Sequence, residues 1–225
     1  MLNQAQIDRV LQTIAEMFPD AHCELRHSSP FELAIAVMLS AQCTDQLVNR
    51  VTADLFQKYR VPEDYLVVPL QELERDIHSI GLFHSKAKHI RQMCQMLLDE
   101  YDGKLPRTRE ALMRLPGIGR KSANVILSVA FAEPALAVDT HVERVCKRLG
   151  ICRWKDSVLE VEKTLMRRVP KAQWSATHHR LIFFGRYHCK AQHPNCPACP
   201  LLDLCREGQK RMKREGRVDE KAEQA

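Results

Sequence analysis

Leu115-Pro116-Gly117-Ile118-Gly119-Arg120-Lys121 is the stretch from which the fold can be read. Pro116 ends a helix that closes near Leu115, because its ring removes an N–H and clashes with the preceding turn. Gly117 and Gly119 permit the positive φ angles of a tight reversal. A second helix then runs from Lys121 to Phe131. Such a reversal leaves main-chain N–H groups at a helix N-terminus without intrahelical partners, and those donors can hold a phosphate. A contact made by backbone is indifferent to base sequence. The alternative is a plain connection between two helices. The proline before the turn and the basic residues after it favour phosphate binding. Lys121 falls in the first turn of the second helix, where a positive charge opposes the helix dipole. That placement lowers the cost of the neutral amine, which is a nucleophile able to form a Schiff base. Read locally, a phosphate-binding lysine helped by Arg120 is the better reading.

The same helical spacing continues on both sides. Ile7, Val10, Leu11, Ile14, Met17 and Phe18 recur at helical intervals. Ser29-Pro30-Phe31-Glu32 opens a helix with Ser as N-cap, Pro at the first helical position and Glu at the capping-box position. The following run, FELAIAVMLSA, is apolar nearly all round and predicts a central buried helix. Thr44 is expected to cap a helix bearing Leu47, Val48, Val51 and Leu55 on one face. Another helix is predicted from Pro69 to Ile80, stopped by Gly81. Ser85 is expected to cap the next, with Gly103 beyond its end, and Thr108 to open one ending at Leu115. No segment shows sustained strand alternation, so the fold class is all-α.

Val138-Asp139-Thr140-His141-Val142-Glu143 reads as a helix start, with Thr140 and Glu143 as a capping box. Asp139 would then sit just outside the helix N-terminus, favoured there as an anion. Dipole compensation alone accounts for it; a carboxylate at a cleft edge is the functional reading.

Near the C-terminus Cys189, Cys196, Cys199 and Cys205 are spaced C-x6-C-x2-C-x5-C. Four thiolates in one short segment suit zinc or an iron–sulfur centre. Pro194, Pro197 and Pro200 argue against a helix through them. Structural disulfides belong to oxidising compartments, and the chain starts MLNQAQIDRV without an apolar signal segment. Spacing leaves zinc and cluster open. The other five cysteines look like ordinary buried small residues.

The chain of 225 residues can hold one large domain or two small ones. Its net charge is +6, of which the stretch from Arg206 to Ala225, with seven Lys or Arg and five Asp or Glu, supplies +2. The remaining +4 on the folded part is compatible with a polyanionic partner. A polar tail from 208 to 225 is expected to fray or stay flexible.

Together these segments resemble the endonuclease III family, helix-hairpin-helix DNA glycosylases that remove oxidised pyrimidines. The resemblance rests on LSAQCTD (Leu39–Asp45), IGLFHSKA (Ile80–Ala87), LPGIGRKSAN (Leu115–Asn124), AVDTHVERV (Ala137–Val145) and the four-cysteine loop. It covers nearly the whole chain except the tail. It implies a helical barrel domain over 23–133 and a cluster domain of 1–22 plus 134–207. Double-stranded DNA with oxidised pyrimidines or abasic sites would lie across a cleft between the two lobes. By this resemblance the four cysteines hold a 4Fe-4S cluster. Lys121 would attack C1′ of the damaged nucleotide, and the resulting imine would undergo β-elimination on the 3′ side. Asp139 would help activate the lysine and stabilise the positive charge on the sugar. Related adenine glycosylases typically lack a lysine at this position, so Lys121 points to a bifunctional glycosylase and AP lyase. Gln42 and Leu82 match positions that fill the gap left by an extruded base. Gly117, Gly119, Arg120, His141 and Lys190 would touch DNA, as would His193. Ser40 and Asp45 would lie near the base pocket. Nothing in the sequence suggests an interface, so a monomer is expected, cytoplasmic and nucleoid-associated. A monofunctional or mismatch-type glycosylase and a non-catalytic DNA-binding module are the competing readings.

Overall fold

The structure, a computed structural model, describes the backbone of residues 1–222 and the side chains of residues 1–214. Among the described residues every regular element is helical. The order is α1 (Gln4–Met17), α2 (Pro30–Leu39), α3 (Asp45–Lys58), α4 (Pro62–Val67), α5 (Leu70–Asp76), α6 (Phe83–Tyr101) and α7 (Arg109–Arg114). Then follow α8 (Arg120–Ala130), α9 (Thr140–Leu149), α10 (Val158–Arg168), α11 (Trp174–Phe183) and α12 (Arg206–Ala222). A 3-10 turn, Lys171–Gln173, precedes α11, and a π-helical segment, Phe184–His188, continues it.

The chain divides into two compact units, Cys23–Ala137 and Met1–His22 with Val138–Ala225. In the first, α2 is the central helix. Its residues from Leu33 to Leu39 are all buried, as the absence of a polar face requires. It packs on α3, α6 and α8, while α4 and α5 cover α6, and α7 lies on α8. In the second, α1 buries Ile7, Val10 and Ile14 and packs on α11. Phe18 makes edge-on contacts with Phe183 and Phe184.

Several helix starts follow the local signals. Ser29, Thr44 and Thr108 each accept an N–H three residues on. Four details differ from the sequence reading. Glu32 reaches back to the N–H and hydroxyl of Ser28, one residue before the cap, so the box is displaced by one. Helix α5 stops at Asp76, not Ile80, because Ile77 to Ile80 tighten into i→i+3 turns that bury Ile77 and Ile80 completely. Helix α6 starts at Phe83, not after Ser85, since Leu82 takes a left-handed conformation and acts as N-cap. The expected flexible tail from 208 is helical as far as Ala222, and residues 223–225 lie outside the described residues. Gly208 donates its N–H to Cys205 Sγ at 3.3 Å, and the Gln209 amide holds the Leu202 and Asp203 carbonyls. These contacts seat the start of α12, and an Arg211–Glu207 pair supports its first turns.

Candidate functional site

The hairpin joins α7 to α8. Leu115 and Ile118 are buried and hold it to the core, with Ile118 N–H donating to the Leu115 carbonyl at 3.1 Å. Gly117 has φ +81°, and a Cβ there would lie 3.1 Å from His89 Cβ and from Met38. A side chain is therefore excluded twice, by conformation and by contact. Gly119 differs from the sequence expectation: its φ is −89°, which any residue adopts. What its missing side chain leaves is open space before α8, with nothing within 4 Å of a built Cβ. No side chain caps α8, so its first N–H groups are an uncovered set of donors. Arg120 and Lys121 are the first two residues of that helix. Lys121 is half-buried, and among the described residues its amine has no hydrogen bond or ion pair.

The turn after α2 carries the other residues of this unit. Ser40 donates its hydroxyl to the Val37 carbonyl at 2.9 Å, so it serves the helix end. Cys43 N–H donates to the Ser40 carbonyl at 3.1 Å, closing a turn in which Gln42 has φ +56°. Leu82 has φ +61° and is 60% exposed. Left-handed backbone costs a non-glycine residue about 1–2 kcal/mol. Both residues are thus held there by their surroundings. Part of the hold is Lys86, which is buried and whose Nζ donates to the Leu39 and Ala41 carbonyls at 2.9 and 2.6 Å. Asp45, the first residue of α3, and Lys121 both act electrostatically on Cys23. Burial pushes the Cys23 thiol up; Lys121 opposes that shift and Asp45 adds to it. Arg109 and Asn124 form a further brace: Arg109 Nε donates to Asn124 Oδ1 at 2.7 Å, and Asn124 Nδ2 to the Leu136 carbonyl at 2.9 Å. Asn124 is fully buried and holds the extended segment that leaves α8.

In the second unit Asp139 is itself the N-cap of α9, a role the sequence reading gave to Thr140. Its Oδ1 accepts the N–H groups of His141 and Val142, both at 2.9 Å. One carboxylate oxygen reaches two donors at once, and Thr140 becomes the first helical residue. Among the described residues Oδ2 accepts no hydrogen bond. His141 is half-buried and meets Arg144 at 3.2 Å.

Two arginines that the sequence reading missed organise the cysteine loop. Arg144 donates to the Gly185 carbonyl at 2.7 Å and the Cys189 carbonyl at 3.2 Å. Burial lowers its guanidinium, and the neighbouring Arg148 adds to that. Arg148, one turn on, donates to the Lys190 and Ala191 carbonyls at 2.6 and 2.9 Å and stands 3.6 Å from Cys189 Sγ. Their spacing of four on α9 was the available signal. The lysine of the long gap, Lys190, is exposed, and so is His193. Gly185 lets the π-helical segment approach α9, since a Cβ there would stand 3.0 Å from His141 Cβ.

The four thiols of 189–205 share one electrostatic neighbourhood. Burial raises the Cys199 and Cys205 thiols, and the charge of Cys189 raises both further. Among the described residues no three His, Cys, Asp or Glu are grouped to hold a single metal ion. The ligands of an iron–sulfur cluster each bind a different iron and therefore stand further apart. Four thiols in one neighbourhood, with N–H donors on Cys189 and Cys205, suit a group whose positive irons offset four thiolates.

Residues 35–171 match the family described as HhH-GPD superfamily base excision DNA repair protein. The chain is 69% identical to endonuclease III of Bacillus subtilis (strain 168), over 95% of this chain and 98% of that one. Its structure is similar to that of an endonuclease III trapped as a covalent DNA intermediate, with TM-score 0.93 and 68% identity over 94% of this chain and all of that one. A non-covalent endonuclease III–DNA complex aligns with TM-score 0.94 and 68% identity, over 95% of this chain and again all of the other. The hairpin, the aspartate cap and the thiol loop thus stand in a chain that belongs to the endonuclease III family of HhH-GPD base excision DNA repair proteins, the bifunctional DNA glycosylases with AP lyase activity.

Proposed function

We propose that this chain removes oxidised pyrimidines from duplex DNA and cuts the strand 3′ to the resulting abasic site, with Lys121 as nucleophile. The observation that carries this reading is the Lys121 amine, half-buried at the uncapped start of α8 and without a hydrogen bond or ion pair among the described residues. An amine in a fixed ion pair would be a poor nucleophile. Lys121 Nζ bonds to C1′, and the bond from C1′ to the base breaks with its electron pair leaving on the base, which takes up a proton. Loss of a proton from nitrogen and opening of the sugar give the imine. The imine acidifies the C2′ proton; its removal expels the 3′ phosphate as the C3′–O bond breaks. Water then hydrolyses the imine and returns the amine.

Asp139 supplies the negative charge that the sugar needs as positive charge develops at C1′, and it accepts the proton of the Lys121 ammonium. Its cap bonds fix the carboxylate through Oδ1 and leave Oδ2 for this role. An anion already oriented costs no reorganisation during the reaction. The α8 N–H groups behind Gly117 and Gly119, with Arg120, bind backbone phosphate, and His141 and Lys190 add contacts. Gln42 and Leu82 occupy the gap left by the extruded base; Ser40 and Asp45 line the base pocket. Cys189, Cys196, Cys199 and Cys205 hold a 4Fe-4S cluster, which orders the 189–205 loop. The protein acts as a monomer on nucleoid DNA in the cytoplasm.

Borohydride trapping on a duplex with one thymine glycol tests this reading, comparing the intact chain with Lys121→Ala. A covalent protein–DNA adduct that disappears in the variant is expected. If the intact chain binds the duplex but gives no adduct, the lyase reading fails and a monofunctional glycosylase or binding module remains.

A further inference from the structure

We propose that Lys86 is a positioning residue, whose one buried side chain and main chain together hold the Gln42 turn and Leu82 in the left-handed conformations that present them to duplex DNA. The inference rests on the proposed roles of Gln42 and Leu82. Lys86 is only 4% exposed, and no carboxylate pairs with it among the described residues. A buried charge without a counter-ion is costly unless its donors are satisfied. Two of the three ammonium donors are used, on the Leu39 and Ala41 carbonyls at 2.9 and 2.6 Å. Leu39 ends α2, so its carbonyl belongs to the set that a helix C-terminus leaves unpaired. The Ala41 carbonyl lies in the peptide plane that joins Ala41 to Gln42. Holding that oxygen fixes the plane from which the Gln42 φ of +56° is built.

The other half of the hold is made by the Lys86 main chain. Its N–H donates to the Leu82 carbonyl at 3.0 Å, the bond that starts α6 behind the left-handed Leu82. One residue therefore ties together two exposed residues that lie 40 positions apart in sequence and share the same rare backbone conformation. A methionine would fill the volume of the Lys86 stem without a charge to bury. It would also leave the Leu39 and Ala41 carbonyls without their donor, so the shape of the turn that carries Gln42 depends on the ammonium. Burial also lowers the Lys86 amine, consistent with a group kept from solvent.

The test compares the intact chain, Lys86→Met and Lys86→Arg in two single-turnover assays. One is base release from duplex thymine glycol DNA; the other is strand cleavage at an abasic site in a single-stranded oligonucleotide, where no partner base or stack needs filling. Lys86→Met is expected to slow duplex excision by about tenfold or more, since misplacing positioning groups is costly, and to leave single-stranded cleavage nearly unchanged. Lys86→Arg should restore most of the duplex rate. Adding Leu82→Ala to Lys86→Met should slow excision little further, because both changes remove the same function. Equal losses on both substrates, or rates that multiply in the double variant, would overturn the proposal. Should Lys86→Met not fold, the intact chain still decides. Its Lys86 ammonium NMR signal must shift on binding a duplex with a stable abasic analogue and not on undamaged duplex, and an unmoved signal refutes the role. Absence of base release and adduct from the intact chain would instead mark failure of the glycosylase reading itself.

Discussion

The carboxylate of Asp139 accepts the main-chain N–H of His141 at 2.9 Å, so the residue proposed to serve the reacting sugar also caps α9. The two roles separate by substitution. Asparagine caps a helix as well as aspartate but carries no charge. Asp139→Asn is expected to keep the melting temperature nearly unchanged while base release falls by about 10²–10⁴-fold. Asp139→Ala should lose activity similarly and also about 1 kcal/mol of stability with the cap. Single-turnover assays beside thermal melts read both; an Asn variant that melts like the Ala variant would show that the cap depends on the charge.

The two hairpin glycines should behave differently. Gly117→Ala forces a methyl into a left-handed backbone and to 3.1 Å from Met38 and His89, so it should cost more than about 1 kcal/mol. Gly119→Ala meets open space at an ordinary φ and should leave the melt almost unchanged. Its methyl would nonetheless stand before the α8 donors. DNA affinity measured by titration should therefore weaken in both variants, in Gly119→Ala without loss of stability.

Arg148 should matter to the cysteine loop more than to the core. It is buried and holds the Lys190 and Ala191 carbonyls. Arg148→Met keeps much of the packing but removes both bonds, each worth about 0.5–1.5 kcal/mol because Lys190 and Ala191 are exposed and water can replace the donor. Iron per protein chain and visible absorbance should fall, while far-ultraviolet circular dichroism stays close to that of the parent. Full iron content in this variant would show that the loop forms without that grip.

Acid should destabilise the fold partly through His179. Burial lowers its pKa below the usual 6.5; the Ser175 carbonyl opposes this and the nearby His22 adds to it. As pH falls below 6.5, the unfolded chain binds a proton that the folded chain refuses. Stability therefore decreases from that point down to the folded pKa and then levels off. Melting temperature plotted against pH should fall less steeply below 6.5 in His179→Gln than in the parent. Parallel curves would mean that His179 is not the group titrating.

Local signals were legible where the interacting groups are neighbours in sequence. Ser29, Thr44 and Thr108 cap helices because each side chain needs only to reach an N–H three residues on. Pro116 and the left-handed Gly117 mark the hairpin for the same reason. The errors are also local but finer: Ser85 and Thr140 were plausible caps, displaced by Leu82 and Asp139. Side chains that could cap are more frequent than helix ends, and packing of the adjacent turn chooses among them.

From the sequence alone come the all-helical class, the hairpin with its following Arg120 and Lys121, and the four-thiol loop. Each depends on residue type and short spacing. Only the tertiary structure decides that Gln42 and Leu82 are left-handed, that Lys86 is buried between them, and that Arg144 and Arg148 grip the loop at Cys189. These rest on bonds across long stretches of chain, 47 residues from Lys86 to Leu39 and 45 from Arg144 to Cys189. A lysine or arginine reads as a solvated charge until folding brings carbonyls to it, because burial and its partners are properties of packing and have no local period.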